Sequence, residues 1–327
     1  MKAYFLGAKA GKPVLELRDV ATPEPKPGEI LIKVKAASLN RGELISGFGL
    51  MEPLADSAPK PIGIDAAGEV AATGAGVTGW KPGTRFMGRA KHSFAEYAIA
   101  DAREAMAVPD TLSWEEAAAV PIAFLTAYDM LVDNGDLKPG EWVLVTGISS
   151  GVGVACLQIA KALGAKVIGT SGSPAKLAAL QKLGLDHGIT TRGGVKPEEM
   201  RKLTGGQGVD IVINNVGGTV FESCLASMAY KGRLATVGYV DGSLTSRIDL
   251  EILHRNRLVL FGVSNKHRTM NERAVSTGNF IHDILPHFAS GRIKPLVDKV
   301  FPFDDLQGAQ RHMLANDAVG KIILRMP

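Results

Sequence analysis

Three glycines in "VTGISSGVGVACLQIAKALG", Gly147, Gly151 and Gly153, stand between an apolar strand pattern and an amphipathic helix pattern. A strand, a glycine turn and a helix N-terminus together make a pyrophosphate site, because the first helical N–H groups and the helix dipole favour an anion. Ser150, Gly151, Val152 and Gly153 are the residues so placed. The spacing is not a strict G-x-G-x-x-G, so the reading rests on context, above all on a second strand about 20 residues further on. That strand ends in Ser171, Gly172 and Ser173, with Lys176 one helical turn later. An NAD site commonly has an acid there to accept from the ribose hydroxyls. Hydroxyls and a cation instead suit the 2′-phosphate of NADPH through charge-assisted hydrogen bonds. Ser173 also reads as a helix N-cap and Lys176 as a solvated lysine. Arg192, after the third strand, is a second candidate cation.

Outside this stretch, "SLNRGEL" sets an amide, Asn40, three residues before a carboxylate, Glu43. Such a pair can orient a proton-carrying network; it also fits a loop in which Asn40 makes an Asx-turn and Glu43 is exposed. None of the five tyrosines has a lysine four residues later, so the Tyr-x-x-x-Lys pair of short-chain dehydrogenases is absent. The two cysteines, Cys156 and Cys224, lie in apolar helical patterns without a Cys or His at metal-ligand spacing, and packing is their expected role.

The elements that must hold these groups follow from periodicity. Residues 1 to 115 are rich in short runs of alternating character, such as "EILIKVKA", where Ile30, Ile32 and Val34 share a face, and in Pro- and Gly-dense turns. Ser113 with Glu116 marks a capped helix start. From 141 to 263 the strands "WVLVT", "KVIGT", "HGIT", "DIVINN", "RLATVG" and "LVLFGV" alternate with helices, which predicts a parallel sheet wrapped by helices. After about 265, "AVSTGNFIHDILPHFASG" reads as helix and "GKIILRM" as a closing strand that packs back onto the first region. A chain of 327 residues exceeds one usual core, so about two domains are expected. With 46% hydrophobic and 21% charged residues, a formal charge of +4 and no long run of one sign, no nucleic-acid or membrane stripe is expected. "AAAVPIAFLTAY" is too short to span a bilayer, and no secretory h-region follows Lys2, so a cytoplasmic location is the expectation.

The segment "KPIGIDAAGEVAATGAGVTGWKPGTRF", with "LKPGEWVLVTGISSGVGVACLQIAKALGAKVIGT", "VDIVINNVGG" and "AVGKIIL", resembles the medium-chain dehydrogenase/reductase superfamily over nearly the whole chain. It is most similar to the zinc-independent quinone oxidoreductases. The resemblance implies an α/β protein: a GroES-like β-rich catalytic domain from residues 1–118 and 265–327, and an inserted Rossmann doubly wound parallel-sheet domain, 119–264, that binds NADP. Homodimers are frequent among such proteins. Zinc-dependent relatives carry a cysteine in the loop matching "SLNRGEL" and a Gly-His-Glu where this chain has Gly63, Ile64 and Asp65; neither the cysteine nor the histidine is present. No metal is therefore expected, and His92 reads as a surface or hydrogen-bonded histidine.

Asn40 and Glu43 match the Asn-x-x-Asp of quinone reductases with Glu for Asp, which makes them catalytic candidates, Asn40 toward the nicotinamide ribose or a substrate oxygen. Thr126, in an "LTAY" that resembles the substrate-side helix, joins them. From the matching motifs come further cofactor contacts at strand ends: Asn215 and Val216, Gly238 and Tyr239, and Phe261, Val263 and Ser264. Ile148 and Ser150 stand where close relatives have small residues, and Ile148 is expected to narrow the pyrophosphate approach. "GTRF" replaces Gly-Asp-Arg-Val, a change in a turn.

Chemistry without a metal narrows the substrate. Hydride addition to a simple ketone leaves an alkoxide with a basicity near that of hydroxide, about 15.7 on the pKa scale. A quinone leaves a phenolate-like oxygen of about 10. The roughly six-unit difference is worth roughly 8 kcal/mol, so quinones and delocalised enones need far less assistance. The expected function is hydride transfer from NADPH to a small-molecule quinone or α,β-unsaturated carbonyl. The alternatives are an enoyl-thioester or alkenal reductase, differing around Asn40 to Met51 and Lys266 to Phe280, and a non-catalytic NADPH-binding module.

Overall fold

The computed structural model describes residues 1–9, 12–44 and 57–327. The expected pocket segment up to Met51 lies in part outside the described residues. Two compact units emerge: Met1–Leu125 with Thr269–Pro327, and Thr126–Arg268.

The first unit is built from two sheets. Strands β1 (Lys2–Lys9), β2 (Lys12–Asp19) and β4 (Ser57–Pro61) form an antiparallel sheet in the order β2-β1-β4. The second contains β3 (Glu29–Ser38), β5 (Asp65–Thr73), β6 (Arg85–Arg89), β7 (Tyr97–Asp101), β8 (Ala105–Ala107), β15 (Val297–Pro302) and β16 (Lys321–Arg325). Its order is β15-β16-β3-β5-β6-β8, with β7 also paired to β3. The expected face of Ile30, Ile32 and Val34 is buried, packed with Phe86, Phe94 and Leu324. The closing strand does return to the first region: Ile323 pairs with Ser38. This pairing places the ends of β3, β5 and β16 together, although they lie far apart in sequence.

Ser113 caps a helix as expected, with Glu116 closing a capping box. That helix, Trp114–Ala118, is short, and a new one begins at Pro121 (Pro121–Tyr128), because a proline ring disfavours helical backbone at the residue before it.

The second unit is a six-stranded, all-parallel sheet. Its strands are β9 (Trp142–Val145), β10 (Lys166–Ser171), β11 (His187–Thr190), β12 (Val209–Asn214), β13 (Met228–Thr236) and β14 (Val259–Gly262), in the order β11-β10-β9-β12-β13-β14. Numbered from β9, this is 3-2-1-4-5-6, the doubly wound order in which the chain reverses direction across the sheet beside its first strand. The apolar runs 143–145 and 211–213, in β9 and β12, are fully buried because helices cover both faces of a parallel sheet. Cys156 and Cys224 are buried in this unit, and burial holds both thiols far above their ordinary ionisation range. Its two ends are tied to each other. Asn265 Nδ2 donates to Thr126 Oγ1 at 2.7 Å, and Arg268 Nη1 lies 3.2 Å from Asp129 Oδ2. Among the described residues no helix is long and apolar enough to cross a membrane.

Candidate functional site

The glycine turn leads from β9 into the helix Gly151–Ala162. Ser150 is its N-cap: Oγ accepts from the Gly153 N–H at 3.0 Å and its carbonyl from the Val154 N–H at 2.9 Å. The N–H groups of Gly151 and Val152 are left as first-turn donors that the helix itself does not satisfy. Beneath them Ile148 is fully buried, which corrects the expectation that it narrows the pyrophosphate approach. Its N–H donates to the Thr170 carbonyl at 3.0 Å and its side chain packs onto β10 at Gly169, where an added Cβ would lie 2.3 Å from Ile148 Cδ1. The side chain is the floor of the turn. A Cβ at Gly153 would come within 2.6 Å of the Ile148 carbonyl oxygen, so glycine there lets the helix sit directly on the turn.

At the end of β10, Ser171 is buried and its Oγ accepts from the Ser173 N–H at 3.2 Å. Ser173 caps the next helix through the Lys176 N–H at 3.4 Å, and Lys176 is half-buried in that first turn. Arg192 is exposed and its stem lies alongside Gly172: an added Cβ would be 3.0 Å from Arg192 Cγ and 3.4 Å from Cζ. The structure thus gathers Ser171, Gly172, Ser173 and Arg192 at one strand end.

The end of β12 is held by a polar lock. Asn214 is fully buried and accepts at Oδ1 from the N–H groups of Val216 (3.1 Å) and Gly217 (3.0 Å). Thr146 accepts at Oγ from the Asn215 N–H at 3.0 Å, and its carbonyl accepts from Asn215 Nδ2 at 3.0 Å. The motif reading chose Asn215 and Val216 and missed Thr146 and Asn214, whose role is to fix the other two. Gly238 adjoins the Asn215 carbonyl, and the half-buried Tyr239 follows it. On the outer strand Phe261 is half-buried, Val263 is buried with its N–H on the Thr236 carbonyl, and Ser264 is exposed. Thr126 is buried and paired with Asn265, a residue the sequence did not single out.

Asn40 and Glu43 belong to the first unit, in a buried polar cluster. Asn40 Nδ2 donates to Glu43 Oε1 at 2.7 Å and to Asp65 Oδ1 at 3.1 Å. Its Oδ1 accepts from Lys321 Nζ at 2.7 Å, and the same ammonium donates to the Leu39 carbonyl at 3.0 Å. Asp65 Oδ2 takes the Ser38 hydroxyl at 2.8 Å and the Ile122 N–H at 3.4 Å. Both Asn40 amide protons are therefore engaged inside the cluster, and the loop is not one with an exposed Glu43, which is only 6% accessible.

Burial, reinforced by the Asp65 charge, raises the Glu43 carboxyl to about 8; burial also raises Asp65, against the pull of Lys321 and three hydrogen-bond donors, and lowers the Lys321 ammonium. Glu43 Oε2 has no hydrogen-bond partner among the described residues. Lys321 escaped the sequence reading, and Asp65 entered it only as the residue in place of the Glu of a Gly-His-Glu; the further signal was a charged residue at the start of each of two apolar strands.

The donor chemistry of this cluster does not fit zinc, which takes Cys, His and carboxylate ligands. A lysine ammonium sits among its two carboxylates, no Cys or His joins them, and no metal-binding group of three such ligands occurs among the described residues.

Known proteins align with both units. The alcohol dehydrogenase GroES-like domain family matches residues 26–110, and the family described as zinc-binding dehydrogenase matches 151–277. Quinone oxidoreductase-like protein 2 of Bos taurus is 30% identical over 308 residues, 93% of this chain and 87% of that protein. A mycobacterial protein solved with NADPH superposes with a TM-score of 0.86 at 28% identity, covering 99% of both chains. The CurK enoyl reductase superposes at 0.83 and 27% identity, again over 99% of each. Against a phenolphthiocerol/phthiocerol polyketide synthase polypeptide of Mycobacterium tuberculosis, 30% identical over 313 residues, the chain spans 14% of the relative's length.

Proposed function

Because the chain belongs to the medium-chain dehydrogenase/reductase superfamily, in its quinone oxidoreductase-like branch, we propose that it is a zinc-independent, NADPH-dependent reductase of quinones or α,β-unsaturated carbonyls. The observation that carries the cofactor choice is the end of β10, where two serines and the Arg192 stem beside Gly172 stand in place of an acid. The mycobacterial relative solved with NADPH supports it.

In this reading the open N–H groups of Gly151 and Val152 hold the pyrophosphate, and Ser171, Ser173 and Arg192 hold the 2′-phosphate, with Lys176 adding charge. Asn215, Val216, Gly238, Tyr239, Phe261, Val263 and Ser264 line the remaining strand ends, and Thr126 stands on the nicotinamide side. NADPH supplies the hydride. Glu43 supplies the proton, from a carboxyl that burial holds neutral up to about pH 8. Transfer to a phenolate-like oxygen of pKa about 10 runs downhill by about 3 kcal/mol.

The test is to titrate NADPH and NADH against the purified protein and then follow turnover with quinones, enones and simple alcohols. Arg192→Ala should weaken NADPH by about 1–3 kcal/mol and NADH much less, the usual worth of a charged hydrogen bond. Equal losses would reject the 2′-phosphate role, and zinc-dependent alcohol oxidation would reject the reading as a whole. A second reading, reduction of enoyl thioesters, is favoured by the CurK likeness and would show as faster turnover of a crotonyl thioester than of any quinone. Tight NADPH binding with no turnover of any acceptor would make the protein a binding module.

A further inference from the structure

We propose that Lys321 and Asp65 are positioning residues: together they lock the Asn40 carboxamide in one orientation and keep the exchangeable proton of the cluster on Glu43 Oε2. This rests on the reading of Glu43 as proton source and goes beyond it by assigning the groups that set where the proton sits. The Asn40 amide has two different ends. Its oxygen faces the Lys321 ammonium at 2.7 Å, and its nitrogen faces Glu43 Oε1 at 2.7 Å and Asp65 Oδ1 at 3.1 Å. Rotating the amide by half a turn would set NH2 against ammonium and the oxygen against two carboxyl groups, so the cation on β16 fixes the orientation.

The division of charge between the two acids follows from their partners. Asp65 accepts from Ser38, Asn40 and the Ile122 backbone, whereas among the described residues Glu43 accepts only from Asn40. Donors favour the ionised form, so Asp65 is the anion and Glu43 the acid. Since Glu43 Oε1 already accepts from Asn40, the proton resides on Oε2, the atom with no partner among the described residues.

Other charges face the pair. Arg89 stands directly across the sheet from Asp65, and it is itself held 3.8 Å from Glu104, which Arg273 Nε meets at 2.7 Å. Lys321, Asp65 and neutral Glu43 thus form a set without net charge, while Glu104 is shared by Arg89 and Arg273, which leaves one positive charge beside the set. When the Glu43 O–H bond breaks, the proton passes to the anion left by hydride addition; a carboxylate remains and takes its next proton from solvent water.

The arrangement makes two substitutions act in opposite senses. Lys321→Met removes the cation and should move ionisation of Glu43 to higher pH. Asp65→Asn removes the anion and should move it to lower pH, each by about 1–3 units, the range for a charge within 4–6 Å. Loss of packing alone would not displace one carboxyl in two directions. The measurement is a pH titration of the protonated-carboxyl infrared band in the intact protein, with Glu43→Gln used to assign the band, alongside the pH profile of kcat and KM.

Opposite displacements in both readouts, with KM for NADPH unchanged, support the proposal. Titration at the parental pH in both variants overturns it. If Lys321→Met does not fold, as judged by thermal melting, the near-isosteric Asp65→Asn decides alone: a downward displacement supports, an unmoved titration overturns. Full turnover by Glu43→Gln would instead sink the proton-source reading, while opposite displacements of the infrared band would still assign Lys321 and Asp65 their effect on that carboxyl.

Discussion

Glu43→Gln is expected to lower kcat by about 10²-fold or more, the usual contribution of a positioned proton donor, while the Kd for NADPH stays as it was. The same variant should gain stability. An unfolded chain ionises Glu43 near its ordinary value of 4.5, whereas the folded protein retains the proton until about pH 8. A carboxyl raised in this way costs nothing below about pH 4.5, weakens the fold progressively as pH climbs to about 8, and adds no further loss above that.

Glutamine is neutral throughout and nearly the same shape. Its advantage over the parent should therefore be small at pH 5 and grow to on the order of a few kcal/mol at pH 8, measured by urea unfolding at both. A gap that does not change with pH would mean that the native carboxyl is already ionised. A loss of turnover joined to a gain in stability is the pattern of a residue kept for chemistry rather than for packing.

The second large effect concerns the floor of the glycine turn. Gly169→Ala places a Cβ 2.3 Å from Ile148 Cδ1 and 2.8 Å from its Cγ2, in a fully buried site. Overpacking of this kind costs about 1–3 kcal/mol. Ile148→Ala alone leaves a cavity and costs about 2–5 kcal/mol. Combined, each relieves the other, and the double variant should be more stable than the sum of the singles by about 1–2 kcal/mol. Strict additivity in urea unfolding would show that the two residues do not share this space. Gly153→Ala is different, because it meets the Ile148 carbonyl oxygen at 2.6 Å. No side-chain change at 148 removes a backbone atom, so Ile148→Ala should not rescue its folding or its NADPH affinity.

Much of the second unit was legible because its signals are local. Each strand is an apolar run bounded by turn residues, Ser173 with Pro174 announces a helix, and the glycine turn follows a strand directly. Even "HGIT", with weak alternation, pairs as an outer strand beside β10. The polar cluster was only half legible. Asn40 and Glu43 are three residues apart and visible together, but Asp65 is 25 and Lys321 is 281 residues from Asn40.

Their meeting depends on sheet pairing between β16, β3 and β5, which no periodicity encodes. A lysine opening "KIIL" reads as a solvated strand end, yet it is only 6% accessible here. Ile148 misled for a related reason. A side chain in a glycine turn faces ligand or sheet according to the room opposite, and that room is supplied by Gly169, 21 residues later in the sequence.

The ties between Asn265 and Thr126, and between Arg268 and Asp129, join the first few residues of the second unit to its last few. A stretch whose beginning and end meet is a closed excursion of the polypeptide, and the rest of the molecule sees a single doorway. Such a cassette can be gained, exchanged or cut out at one place without rerouting the surrounding strands. Inheritance can then act on the two units as separate parts, each free to change at its own pace.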